Sequence, residues 1–160
     1  MIQISDITAA IAARVSKSFP GEKIYTDLAP RDFERPSNMV ELAGIGMDPL
    51  SYGPGGVDFL FKYKISTFSK VDEVHASHLP VLDLRAMLVL GAFGSGFIQV
   101  KDRAPKVRSA EADTSFFDFA LVTLTLALTL DRANFAEAEL YELMQKLELK
   151  VRVKKENDNG

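Results

Sequence analysis

The chain has 160 residues, 47% of them hydrophobic and 26% charged, with 19 basic against 22 acidic side chains for a net charge of −3. That balance suits one globular domain, commonly about 100–150 residues, and lacks the basic footprint that nucleic-acid binding requires. Cysteine is absent, which excludes disulfides, thiolate nucleophiles and cysteine zinc sites and fits a reducing cytoplasm.

A first helix is predicted from Ser5 or Asp6 as its cap. Ile7, Ile11, Val15 and Phe19 recur at steps of four among alanines, one apolar stripe on a strong helix former. Pro20-Gly21 ends it. Residues 23–27 read as a short strand. Residues 28–37 read as a solvated loop anchored by Phe33, and 38–45 as a second strand. Residues 47–56 carry Pro49, Gly53, Pro54, Gly55 and Gly56, a flexible connection. A long strand follows from Val57 to near Phe68, alternating at period two.

Val71 to Gly91 reads as an amphipathic helix capped by Ser77, with Leu79, Leu82, Ala86, Val89 and Leu90 on its buried face. Phe97 to Val100 is predicted as a strand, Lys101 to Arg108 as a basic connection, and Val107 to Asp113 as a strand. The last is expected to pair with a second long alternating strand, Phe116 to Leu130, whose length exceeds the usual five or so residues about threefold. Phe135, Leu140, Leu143, Met144 and Leu147 mark a final helix, and 149–153 a short edge strand. The reading is one α+β domain over 1–153, a mainly antiparallel sheet packed by two or three helices, then a polar tail at 154–160. No basic stretch precedes an apolar run at the N-terminus, so no secretory signal is expected. The greasiest run is shorter than the roughly 20 residues a spanning helix needs.

Few residues point to chemistry. His75 and His78, the only histidines, share a helix face at a spacing known from metal sites, but no third ligand accompanies them. Gly91, Gly94 and Gly96 follow a helix rather than opening one, and Gly53-Pro54-Gly55-Gly56 leads into a strand; neither meets the physical requirement of a phosphate cradle. No Gly-x-Ser-x-Gly elbow exists. Glu137 and Glu139 read as a solvated helix face. No catalytic residue, metal or cofactor is therefore expected. Surfaces are more informative. Arg103, Lys106 and Arg108 form a basic stretch suited to a protein contact. Thr123, Thr125 and Thr129 alternate with Leu124, Leu126, Leu128 and Leu130, so one strand face is buried and the other reads as neutral and suited to a neighbour. The candidate interface residues are Arg103, Lys106, Arg108, Thr123 and Thr125, with Asp48 and Tyr52 in the glycine-rich connection.

The order of these elements resembles the phage tail terminator family, the tail completion or head–tail joining proteins of long-tailed phages and prophages. The resemblance rests on the helix Ile7-Thr8-Ala9-Ala10-Ile11 running into Phe19-Pro20, Ile24-Tyr25 and Phe33-x-x-Pro36 before Met39-Val40-Glu41-Leu42. Phe59-x-Phe61-x-Tyr63 follows, then a helix ending before Gly96, Phe117-x-Phe119-x-Leu121, and an acidic helix with Met144-Gln145-x-Leu147-Glu148. It covers roughly residues 4 to 148. It implies a structural protein in the virion tail, assembled in the host cytoplasm. Such proteins form a ring, typically of six copies, that caps the tail tube, stops its polymerisation and joins it to the head connector. The implied partners are the chain itself, the tube protein and the connector, with DNA only as passing cargo and no membrane. The competing readings are another head–tail connector or minor capsid component, and a small enzyme or regulatory domain using the His75/His78 face.

Overall fold

The computed structural model describes residues 2–26, 31–48, 56–71 and 79–131. Within them run α1 (Ile4–Ser18), β1 (Lys23–Tyr25), β2 (Ser37–Met47), β3 (Gly56–Phe68), α2 (Leu79–Ala92), β4 (Lys106–Asp113) and β5 (Ala120–Asp131). The strands form one sheet in the order β1-β2-β3-β5-β4. β1 runs parallel to β2, and the other three pairings are antiparallel. The α+β class is as the sequence predicts. The expected helix from Phe135 to Leu147, the edge strand at 149–153 and the tail lie outside the described residues, as does Ser77 with its capping role.

The predicted stripe of α1 is buried: Ile7, Ile11 and Val15 face the sheet, and Phe19 closes the helix end. The cap differs from expectation. Gln3 is the N-cap, and Asp6 lies one turn in, where its carboxylate accepts the Gln3 backbone N–H at 2.8 Å. An acid at that third position reaches back to an otherwise orphaned donor and meets the positive end of the helix dipole, which makes it a better partner there than as the cap itself. Gly21, at φ 82°, supplies the left-handed turn after Pro20.

Alternation along the long strands creates two faces. Phe61, Tyr63 and Ile65 of β3 stand opposite Leu126, Leu124 and Val122 of β5, and these six join the α1 stripe, Val89 and Phe93 in one core. Both helices cover that face: α1 packs on β1 and β2, and α2 on β5, β4 and β3. The Tyr63 hydroxyl, buried with its ring, meets Thr8 Oγ1 at 3.1 Å, and burial raises its pKa. The two helices are tied by Arg14, which donates to the carbonyl of Ala92 at 3.1 Å near the end of α2.

α2 carries a buried charge that its apolar spacing conceals. Arg85 is 7% exposed, between Leu82 and Val89 on the inner side. Its guanidinium grips Glu22 with both terminal nitrogens, reaches Thr67 Oγ1 at 2.8 Å, and stands 4.3 Å above the Phe19 ring. It joins α2 to the α1–β1 turn and β3. Leu79, by contrast, is 43% exposed rather than buried.

Two predicted strands are revised. Phe97 to Val100 forms only isolated bridges, Phe97 with Lys106 and Val100 with Arg103. Ile98 donates to the carbonyl of Pro105 at 2.9 Å, but proline has no N–H to return, so the ladder is interrupted. β5 begins at Ala120, not Phe116. Residues 116–119 bend out of the strand: Phe116, Asp118 and Phe119 have partners on the sheet face turned from the helices, while Phe117 is 80% exposed. Phe116 stacks on Phe119 at 4.8 Å, Phe119 meets Phe68 at 5.5 Å, and Arg35 pairs with Asp118 at 2.7 Å. Phe33 packs on Phe68 at 4.6 Å, the anchoring role expected of it.

Candidate assembly surfaces

The basic residues are brought together, and their arrangement differs from an open loop. The arm from Gly96 to Val100 turns at Lys101, at φ 52°, and returns through Arg103 into β4. Pairing passes from Val107–Leu126 to Ser109–Thr125, so Arg108 is the extra residue of a β-bulge. A bulge twists the strand and re-aims its side chain. Arg108 reaches past β5 to Asp58 at 3.0 Å, with Asp48 at 3.6 Å; the Thr129 hydroxyl donates to the other oxygen of Asp58. Asp48 and Arg108 thus belong to an internal clamp across β3, β5 and β4. Arg103 and Lys106 line a cavity of about 400 Å³ with Arg108, Asp58 and Thr129. Among the described residues Arg103 has Asp102 at 3.9 Å, and Arg103 and Lys106 are the contact-ready cations of this stretch. Lys101, in the same stretch, donates to Asp6 at 2.6 Å, and this hydrogen bond, with the one from Gln3, lowers the Asp6 pKa.

Thr123 and Thr125 do lie on the face away from the helices, but that face is not neutral. Thr123 stands between Lys64 and Glu111, and Thr125 between Lys62 and Ser109. Alternation along β5 alone hides the charges that β3 and β4 place beside it. Tyr52, His75, His78, Glu137 and Glu139 lie outside the described residues. Among the described residues no cluster of three metal-ligating side chains forms. Gly96, at φ 78°, belongs to the turn that follows α2, as expected of a helix stop.

The surface that sequence reasoning missed is the outside of α2. Leu84 is 57%, Met87 69% and Leu88 43% exposed, with Val81 and Leu79 beside them. Over its whole length α2 has two charged residues, Asp83 and Arg85, and Arg85 is buried. The helix is therefore apolar around its circumference rather than amphipathic. The signal was present: no helical phase between Leu79 and Ala92 collects polar residues. A helix of that kind is ordinarily buried on all sides. A second uncovered apolar region lies at the other helix. A groove of about 380 Å³ runs between α1 and β2, lined by Ile4, Ser5, Thr8, Ala9, Thr26 and Leu42. Ile45 and Met47, both about half exposed, continue its β2 wall.

No protein-family model matches the chain, and no curated protein matches it. No helix among the described residues is long and apolar enough to cross a membrane.

Proposed function

We propose that this protein is a structural assembly component, a tail terminator whose copies form a ring on the last ring of a phage tail tube. There it stops addition of tube subunits and presents a surface to the head connector. The observation that carries the reading is α2, which among the described residues leaves Leu84, Met87 and Leu88 exposed beside a single exposed charge, Asp83. Apolar area left in water is a free-energy cost of roughly 25 cal/mol per Å², recovered only when another surface covers it. The order of motifs along the chain supports the specific assignment.

The action is mechanical. A head-to-tail contact closes into a ring when its rotation divides a full turn, and a stable contact buries about 1,200–2,000 Å² in total. A closed ring leaves no tube-like subunit face on which the next layer can add. Arg103 and Lys106 supply a local positive patch on a chain of net charge −3, suited to an acidic site on the tube or connector.

Electron microscopy of the protein mixed with its cognate tube subunit tests this. Rings at tube ends and shorter tubes are expected. Tubes that elongate as they do without the protein would sink the assignment. The Arg103→Glu/Lys106→Glu variant is expected to keep its fold and bind tubes more weakly, with the difference shrinking at high salt.

A further inference from the structure

Buried area alone does not say which side of α2 meets the sheet. Leu82, Ala86 and Val89, at steps of four and three, are the apolar residues that do. Val81, Leu84 and Leu88, at steps of three and four, form a second stripe beside the first, and it is exposed. The second stripe is the larger, with two leucines and a valine against one leucine, one valine and an alanine. Each residue advances about 100° round an α-helix, so a turn of that size about the helix axis exchanges the stripes. Burial of apolar area favours the turn. Asp83, the exposed charge of α2, does not oppose it: the spacing keeps Asp83 in water before the turn and swings it further from the sheet afterwards.

Arg85 does oppose it. The guanidinium donates to both carboxylate oxygens of Glu22, at 2.9 Å to Oε1, and its Nε donates to Thr67 Oγ1 at 2.8 Å. Glu22 is itself held from β2 by the Asn38 amide at 3.1 Å, and the Phe19 ring lies under the guanidinium. A planar fork meets a carboxylate, a hydroxyl and a ring together at one helix angle only, and the turn carries it away from all three. We propose that Arg85 is a positioning residue that sets the rotation of α2. It selects the smaller apolar stripe for the core and thereby decides that Leu84 and Leu88 are presented outward. Apolar contacts supply the stability of α2, and the buried pair supplies its orientation. The inference is independent of the ring reading.

Because the chain has no cysteine, one introduced thiol reports on each stripe: Ala86→Cys inside and Leu88→Cys outside, each labelled with iodoacetamide. With Arg85 and Glu22 in place, the Leu88→Cys thiol is expected to label at least about tenfold faster than the Ala86→Cys thiol. Each reporter is then combined with Arg85→Met/Glu22→Gln, which removes both charges together and strands neither. The unfolding midpoint is expected to hold or rise, while the Ala86→Cys thiol labels about tenfold faster and the Leu88→Cys thiol more slowly. Changes of opposite sign report rotation. A merely loosened helix speeds both, and that result overturns the proposal. Unchanged rates overturn it too, since packing alone then sets the angle, as does a midpoint lowered as far as that of Arg85→Ala. A second set adds Leu84→Lys/Leu88→Lys to the charge-free Ala86→Cys chain, so that the exposed stripe becomes polar and fixes the angle by itself. Slow labelling of the Ala86→Cys thiol is expected to return without the pair. If the charge-free chain fails to fold and this second set folds, orientation was what the pair supplied and the proposal stands. If neither folds, or the second set still labels fast, the pair does not act through rotation and the proposal falls.

Discussion

Helices α1 and α2 lie over the same face of one sheet and share a core, yet they meet water with opposite surfaces. The outward positions of α1 after its first residue are small or polar: Ser5, Ala9, Ala13, Ser16 and Lys17. Those of α2 include Val81, Leu84, Met87 and Leu88. The charge pattern is inverted too. On α1 the charged residues Asp6, Arg14 and Lys17 lie at the surface or partly covered, whereas α2 exposes Asp83 but buries Arg85 and leaves Leu84 and Leu88 outside. Among the described residues the outer side of α1 past its first residue is small or polar, whereas that of α2 keeps large apolar side chains in water.

The comparison breaks most completely at the residue on which both helices depend. Leu126 is fully buried in the shared core, and Leu126→Asp is expected to abolish cooperative unfolding, as followed by circular dichroism, because a buried unpaired carboxylate costs more than a domain's marginal stability of about 5–15 kcal/mol. Next in size is Arg85→Ala. It strands Glu22 and removes the charge that holds α2 to β3, and a loss of about 3–5 kcal/mol is expected in denaturant titration. A loss under about 1 kcal/mol would mean that the leucines, not the ion pair, seat α2.

A paired measurement sharpens the contrast between inner and outer faces. Ile11→Val on α1 is expected to cost about 0.5–1.5 kcal/mol, since even one buried methyl group is felt. Leu84→Ala on α2 removes more atoms, yet is expected to stay within about 0.5 kcal/mol for the isolated copy, because the side chain is already more than half exposed. Equal costs would show that α2 is covered in solution.

The smallest effect concerns the start of α1. The Asp6 pKa lies below its ordinary 3.8 in the folded state, first through the Lys101 hydrogen bond and then through the Gln3 N–H. Its contribution is therefore complete above the unfolded carboxylate range and is lost as pH falls through the lowered folded value. Lys101→Met is expected to raise the Asp6 pKa toward 3.8, read from its side-chain carboxyl resonance, with the fold unchanged.

Much of this architecture was legible in local pattern. The α1 stripe, the two long strands, the pairing of β4 with the second of them and the anchoring by Phe33 each follow from side-chain periodicity or a single aromatic in a polar stretch. Periodicity failed where a residue's partner is distant in sequence. Nothing in the local pattern singles out Arg85, whose partners Glu22 and Thr67 lie 63 and 18 residues away. The Phe116–Phe119 segment reads as strand until Phe68 and Arg35 draw it out of line. Asp48 and Arg108 read as separate contact residues until a bulge and Asp58 join them.

Alternation along a strand fixes which side chains share a face, because the backbone pleat does so residue by residue; the chain alone therefore determined an α+β domain with one buried sheet face. It did not determine what stands beside each residue on that face, since neighbouring strands are set by register across the sheet. Only the tertiary structure decided that Lys62, Lys64 and Glu111 flank the threonines, that Arg108 is clamped, and that α2 turns its leucines toward water, because each depends on contacts between segments that sequence order keeps apart.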